Sequence, residues 1–183
     1  SARNDLNEIW PDVKTPISIT HLGRPELQHK NLERAKGYLL FVGVRGGYKD
    51  AETLLADPIT GSLFLVSKRE PKNALYQVPA TAFEKGSATL EKVHEFDFNS
   101  SVGGDISKDG SQILIKTYLA VFYWKRTEKQ SLVEALKVVP MRLPYVPEPQ
   151  GEAIGFNFKG DAYFTLSEKR NGVMPTLYRY PKK

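Results

Sequence analysis

A short pattern recurs three times in this chain, at intervals close to fifty residues. Each copy has an apolar stretch, a tight turn that ends in glycine, and a second apolar stretch that ends in a hydroxyl residue. The aligned residues are Gly61, Gly110 and Gly160 in the turns and Ser67, Thr117 and Ser167 after them. Because a propeller blade of four strands needs about fifty residues, this repeat length predicts propeller blades.

The turns and their flanking stretches have the chemistry of β-hairpins. Asp57 and Pro58 open one turn that Gly61 closes, and Asp109-Gly110 forms another. The stretches after the turns are nearly continuous apolar runs, which predict strands buried on both faces. These strands cover 63–66, 113–115 and 162–166, and third strands are predicted at 74–79, 119–124 and 176–181. Fourth strands are predicted at 88–96 and 136–143, and residues 39–44 are predicted to be the outer strand of a preceding blade.

Composition excludes several classes of function. The 183 residues include no cysteine, so disulfides, thiolate catalysis and cysteine-ligated metal centres are excluded. No run of eighteen apolar residues is present, which predicts that the chain has no membrane span. The net charge is +5, but the basic residues are scattered along the chain rather than gathered in a stripe with stacking aromatics. We therefore expect no nucleic-acid partner.

Three segments resemble motifs of a known family. They are Asp50-Ala51-Glu52, the Gly104-Asp105-Ile106-Ser107-Lys108-Asp109-Gly110 run, and Gln150-Gly151-Glu152-Ala153-Ile154. In this order they resemble a largely uncharacterised family of exported, mostly bacterial β-propellers. That family is similar, at the level of the fold, to regucalcin and gluconolactonase propellers, which hold a divalent cation in the central channel. The resemblance implies a secreted or extracellular protein.

The predicted fold class is all-β, a β-propeller of four-stranded blades. An extended N-terminal arm is expected over residues 1–36, followed by blades over 37–183 with approximate repeats at 50–99, 100–149 and 150–183. About three and a half blades do not close a ring, and open sheet edges are features that proteins avoid. We therefore expect the chain to be the C-terminal part of a larger propeller, released by proteolytic processing and completed by another polypeptide chain in a hetero-oligomer.

Three acids near the starts of the innermost strands are the candidate site residues: Glu52, Asp105 and Glu152. Convergent carboxylates suit a hard cation such as Ca²⁺, and the same groups could activate a water as general base. They could also form ion pairs within the channel, for which the candidate lining residues are Lys68, Lys116 and Glu168, next to the aligned hydroxyls. The hydroxyls themselves are expected to tie neighbouring blades together.

Two functions remain open from the sequence. The first is a binding or structural propeller, which needs no catalytic motif and agrees with the absence of a nucleophile elbow, a phosphate-binding loop and a dinucleotide fingerprint. The second is a divalent-metal-dependent hydrolase or lactonase, with the cation in the central channel polarising a carbonyl. The sequence favours binding.

Overall fold

A computed structural model describes residues 41–44, 49–79, 82, 87–170 and 172–182. The predicted arm over 1–36 lies outside the described residues. Within them, twelve strands and one short helix follow one another in the chain. The strands are β1 (Phe41–Val44), β2 (Ala51–Ala56), β3 (Leu63–Ser67), β4 (Ala74–Val78), β5 (Ser87–Glu95), β6 (Ser101–Ile106), β7 (Gln112–Thr117), β8 (Val121–Lys125), β9 (Met141–Leu143), β10 (Gly151–Phe156), β11 (Ala162–Ser167) and β12 (Tyr178–Pro181), and helix α1 (Leu132–Leu136) lies between β8 and β9.

The strands form three sheets, called blades 1, 2 and 3 below. Blade 1 has the order β1-β5-β4-β3-β2, blade 2 the order β6-β7-β8-β9, and blade 3 the order β10-β11-β12. All pairs are antiparallel except β1 with β5. The prediction that residues 39–44 belong to a preceding blade is therefore wrong for the described part of the segment, 41–44. The segment extends blade 1 instead, where parallel pairing satisfies the backbone groups along the outer edge of β5.

The repeated turns have the predicted backbone conformation. Gly61, Gly110 and Gly160 have φ angles of 69°, 74° and 68°. A side chain would be strained in this left-handed region, so glycine at these positions permits the hairpin between the first two strands of each blade.

Each innermost strand begins with a β-bulge at the same place in the repeat. The pairing register shifts between Ala51 and Thr53 in β2, and in the same way after Ser101 in β6 and after Gly151 in β10. The extra residues are Glu52, Val102 and Glu152. A bulge redirects the side chain that it carries. Glu52 and Glu152 therefore occupy equivalent positions at the bulges of β2 and β10, whereas Asp105 lies further along β6.

Two hydrophobic clusters lie between neighbouring blades, and a third, which includes Tyr76 and Leu90, belongs to blade 1 alone. Strand β7 is buried along its whole length, as predicted, and its side chains alternate between the two interfaces. Ile113 and Ile115 belong to the cluster shared with blade 1, and Leu114 belongs to the cluster shared with blade 3. The first cluster also contains Leu55, Phe64, Val66, Phe122 and Trp124, and the second contains Val121, Tyr123 and Tyr163.

The segment before β9 differs from the prediction of one long fourth strand over 136–143. Helix α1 begins after Ser131, whose side chain accepts a hydrogen bond from the backbone N–H of Glu134 while the Glu134 carboxylate accepts one from the Ser131 backbone. This capping box satisfies two helix-end donors and favours a helix here. Leu132 and Leu136 pack into the core between blades 1 and 2. Strand β9 begins only at Met141 and has three residues.

Two glycines allow the innermost strands to approach one another. A Cβ atom on Gly103 would lie 2.7 Å from the Glu152 carbonyl oxygen, and one on Gly104 would lie 2.8 Å from the Leu55 side chain. Strand β6 is thus wedged closely between β2 and β10. This packing brings the bulges of blades 1 and 3 within reach of each other.

Candidate functional site

Four side chains from the three blades form a continuous polar network: Glu52, Lys68, Tyr118 and Glu152. The Lys68 ammonium donates hydrogen bonds to the Glu52 carboxylate at 2.5 Å and to the Tyr118 hydroxyl at 2.9 Å. The Tyr118 hydroxyl donates in turn to Glu152 Oε1 at 2.6 Å. Lys68 Nζ lies 3.8 Å from the same Glu152 oxygen, so one ammonium pairs with both carboxylates.

The repeat explains why these residues meet. Glu52 and Glu152 occupy equivalent bulges at the starts of β2 and β10. Lys68 and Tyr118 each directly follow the second strand of their blade, whose end pairs with the start of the innermost strand. All four therefore lie at the end of the blades where the innermost strands begin. In blade 2 the bulge position is occupied by Val102, and in blade 3 the position after the second strand is occupied by Glu168.

The network carries one more negative than positive charge. The side chain of Lys68 is 8% exposed, whereas Glu52 and Glu152 are 29% and 27% exposed. Burial lowers the pKa of Lys68, but the hydrogen bonds and charges of Glu52 and Tyr118 outweigh it and hold this pKa above its ordinary value. Burial and the hydrogen bond to Glu152 raise the pKa of Tyr118. At neutral pH the lysine is charged and the tyrosine is protonated.

Asp105 lies apart from this network. Its Oδ1 accepts a hydrogen bond from the Ile106 N–H at 2.8 Å, and its Oδ2 accepts one from the Phe156 N–H at 2.7 Å. Burial raises the pKa of Asp105, although these two backbone donors act against the rise. Asp105 thus fastens β6 to β10. Over the described ranges, no group of three or more His, Cys, Asp or Glu side chains is arranged to hold a metal ion. Calcium binding by Glu52, Asp105 and Glu152 stays a prediction.

The other two predicted lining residues have different surroundings. Lys116 is fully buried, donates hydrogen bonds to the carbonyl oxygens of Gly151 and Thr117, and lies 4.6 Å from the centre of the Tyr145 ring. Burial lowers its pKa to about 8, against the opposing charges of Glu148 and Glu152. Glu168 is exposed, and in the described part of the chain it joins no salt bridge.

The aligned hydroxyls do not join neighbouring blades, so that expectation is wrong for the two whose bonds are seen. Ser67 Oγ accepts a hydrogen bond from the Ala74 N–H at 2.9 Å, and Thr117 Oγ1 accepts one from the Ala120 N–H at 3.1 Å. Both contacts lie within one blade, between its second and third strands. A hydroxyl at this position satisfies local backbone donors in the connecting loop.

Tyr118 was not predicted as a site residue, although the sequence contains a signal for it. Tyr118 follows Thr117 as Lys68 follows Ser67 in the alignment of the repeats. The residue that was predicted, Lys116, lies two positions before Tyr118. Its side chain points into the interface with blade 3.

Comparison with solved structures identifies the fold. Hydrazine synthase from Kuenenia stuttgartiensis, a β-propeller-type structure, matches with a TM-score of 0.50 and 10% identity over 72% of this chain and 34% of that chain. The described blades form part of a β-propeller. The predicted fold class is thereby confirmed, and the chain spans about a third of the length of that neighbour.

Other comparisons add no functional information. TolB from Acinetobacter baumannii matches with a TM-score of 0.48 and 18% identity, over 73% of this chain and 30% of that chain. A protein from Lactobacillus plantarum matches with a TM-score of 0.36 and 8% identity, over 75% of this chain and 45% of that chain. No family model matches the sequence, and no curated protein matches it significantly. Within the described residues, no helix is both long enough and apolar enough to cross a bilayer.

Proposed function

We propose that this chain is a β-propeller binding module that holds a cationic group of a protein partner at the polar network. The observation that carries the proposal is the convergence of Glu52 and Glu152 on a single ammonium, that of Lys68. Two carboxylates and one ammonium leave one net negative charge. Because the carboxylates are partly exposed while Lys68 is buried, a ligand at this end of the blades meets the acids first.

The protonation states of the network favour binding over catalysis. Three donors contact the carboxylates: Lys68, Tyr118 and, at 3.4 Å from Glu152 Oε1, the Gln150 side-chain amide. Lys68 and Tyr118 have raised pKa values and hold their protons at neutral pH, and an amide does not titrate. A general base must have a free lone pair directed at the substrate, and a nucleophile needs an adjacent base. Here the described hydrogen bonds of both acids are made to residues that stay protonated.

The partner in this proposal is a second polypeptide that completes the propeller outside the cell. The extracellular location is the one that the family resemblance implies. Blade 3 supports it, since β12 forms one edge of the sheet in the described part of the chain, and Leu166 and Leu177 are 40% and 63% exposed. Stacking a further blade would cover such apolar side chains. Light scattering of material purified from its source should give a mass above that of one chain, and a single-chain mass would contradict this partner.

A binding titration with a tetra-arginine peptide amide tests the cationic site. We expect measurable binding at low ionic strength that weakens as salt is added, because the charges are partly exposed. Glu152→Gln and Glu52→Gln should each weaken binding by up to about fivefold, since each removes a partly exposed charge whose ion pair with the peptide is worth up to about 1 kcal/mol.

Glu168→Gln is the matched control for this titration. It removes an exposed carboxylate near the same end of the blades, outside the polar network, with the same change in net charge. Its affinity for the peptide should equal that of the unmodified protein. Equal losses in all three variants would indicate only a general charge effect, and unchanged binding in the Glu52 and Glu152 variants would refute the site.

A calcium-dependent hydrolase or lactonase is the second candidate, because Glu52 and Glu152 lie close enough to share one cation. That position is held by the Lys68 ammonium. Under the binding proposal, we expect calcium to leave the melting temperature of the unmodified protein unchanged. In Lys68→Met the position of the ammonium is free for calcium, so the melting temperature of this variant should rise with the logarithm of the calcium concentration. Calcium stabilisation of the unmodified protein, lost in Asp105→Asn and Glu152→Gln, would instead favour the hydrolase.

A further inference from the structure

A cleft of about 790 Å³ lies between blades 2 and 3, away from the polar network. Blade 2 contributes residues of β8 and β9, and blade 3 contributes residues of β11, β12 and the turn at Gly160. Pockets that bind small organic molecules usually have volumes of about 300 to 1,000 Å³. The cleft is therefore large enough for a cofactor-sized or metabolite-sized ligand.

The walls of the cleft are mainly aromatic and apolar. The Tyr163 and Tyr180 rings are stacked with centroids 4.7 Å apart and an angle of 11° between their planes. Burial raises the pKa of Tyr163 to about 12, and its hydroxyl donates a hydrogen bond to the Pro144 carbonyl. Other apolar or aromatic lining residues are Tyr123, Met141, Leu143 and Phe156. Fixed, parallel aromatic rings favour a flat aromatic ligand, which can lie against them in an offset stack.

The charged groups of the cleft are all positive. Lys125 and Lys182 line it, and its described lining contains no aspartate or glutamate. The Lys182 ammonium donates to the Gln112 side-chain oxygen at 3.1 Å, and the Tyr123 hydroxyl contacts the same oxygen at 3.2 Å. Gln112 also donates to the Gly160 carbonyl at 3.0 Å, so both the oxygen and the nitrogen of its amide are hydrogen-bonded and its position is fixed.

Neither lysine has a charge partner among the described residues, since no salt bridge there includes Lys125 or Lys182. Two unneutralised ammonium groups beside an apolar wall attract an anion that carries an apolar body. We propose that this cleft binds a planar aromatic carboxylate, with its ring against Tyr163 and Tyr180 and its carboxylate toward Lys125 and Lys182. The cleft shares no residue with the polar network, so this proposal does not depend on the cationic site proposed above.

Isothermal titration of the full chain with 2-naphthoate, and separately with its neutral analogue 2-naphthamide, tests the site. We expect one binding site per chain for naphthoate and at least tenfold weaker binding of the amide. The double variant Lys125→Met/Lys182→Met should lose about tenfold in naphthoate affinity, as expected for the loss of hydrogen bonds to a charged group, and should bind the amide as before. Both lysines are exposed, so these substitutions leave the fold intact.

Lys159→Met provides the control, because it removes one exposed positive charge near the Gly160 turn without changing the lining of the cleft. It should bind naphthoate like the unmodified chain. The inference is overturned if naphthoate does not bind, if the amide binds equally well, or if the double lysine variant retains full affinity. Failure of the tetra-arginine titration would leave this result unaffected, because the two sites share no residue.

Discussion

Replacing Arg126 with methionine is expected to lower the free energy of unfolding by about 3 to 5 kcal/mol, because it breaks a buried ion pair. Arg126 forms a two-pronged ion pair with Asp57, with N–O distances of 2.7 and 3.3 Å. The two side chains are 2% and 1% exposed. Removing the guanidinium leaves a buried carboxylate without its cation.

The position of this ion pair explains the size of the effect. Asp57 lies in the β2–β3 turn of blade 1, where it also accepts hydrogen bonds from the Ile59 N–H and the Thr60 hydroxyl. Arg126 follows β8 of blade 2, and its Nε donates to the Gln130 carbonyl. Burial raises the pKa of Asp57, but these hydrogen bonds and Arg126 outweigh it and hold the pKa below its ordinary value. The pair therefore connects two blades as well as closing a turn.

Urea unfolding measures the change in the free energy of unfolding. Two further variants test whether this change comes from the buried ion pair. Asp57→Asn combined with Arg126→Met should be less destabilised than Arg126→Met alone, because no buried charge is left without a partner. Lys72→Met breaks the exposed pair with Asp97 and should leave the urea midpoint unchanged. A midpoint for Arg126→Met equal to that of the unmodified protein would show that the ion pair does not hold the blades together.

The repeat predicted most of the fold because it is a local pattern. Turn glycines, apolar runs and their spacing are properties of adjacent residues, so the hairpins and the buried strand β7 followed from them. Helix α1 was missed because its short capping signal, Ser131 to Glu134, lies next to an apolar stretch that also suits a strand. The pairing of β1 with β5 depends on residues more than forty positions apart, which no local pattern specifies.

The site was predicted in part for the same reason. Glu52 and Glu152 were found because the repeat places them at equivalent positions, and both belong to the polar network. Asp105 was grouped with them, but its position three residues beyond the bulge directs it to the backbone of β10 instead. The ion pair of Asp57 with Arg126 joins residues that occupy unrelated positions in the repeat. Only the packing of one blade on the next brings them together.

A second large effect is expected from Lys116, whose charge is buried between blades 2 and 3. Its folded-state pKa of about 8 lies below the ordinary value of 10.5, so folding favours the neutral amine. Between these two pH values the unfolded chain binds more protons than the folded chain, and stability must rise with pH. The penalty for burying the charge is complete below pH 8 and disappears as pH approaches 10.5. The difference corresponds to about 3 kcal/mol.

The Lys116→Met variant isolates this contribution. The free energy of unfolding of the unmodified protein, minus that of the variant, should increase by about 2 to 3 kcal/mol between pH 7.5 and pH 10. Taking the difference removes the contribution of groups that titrate alike in both proteins. Lys129 is exposed in the loop before α1, so Lys129→Met provides the control for removing a lysine at the surface. A flat line for Lys116→Met would mean that the buried ammonium keeps its proton through this pH range, held by the Gly151 carbonyl and the negative charge of Glu148.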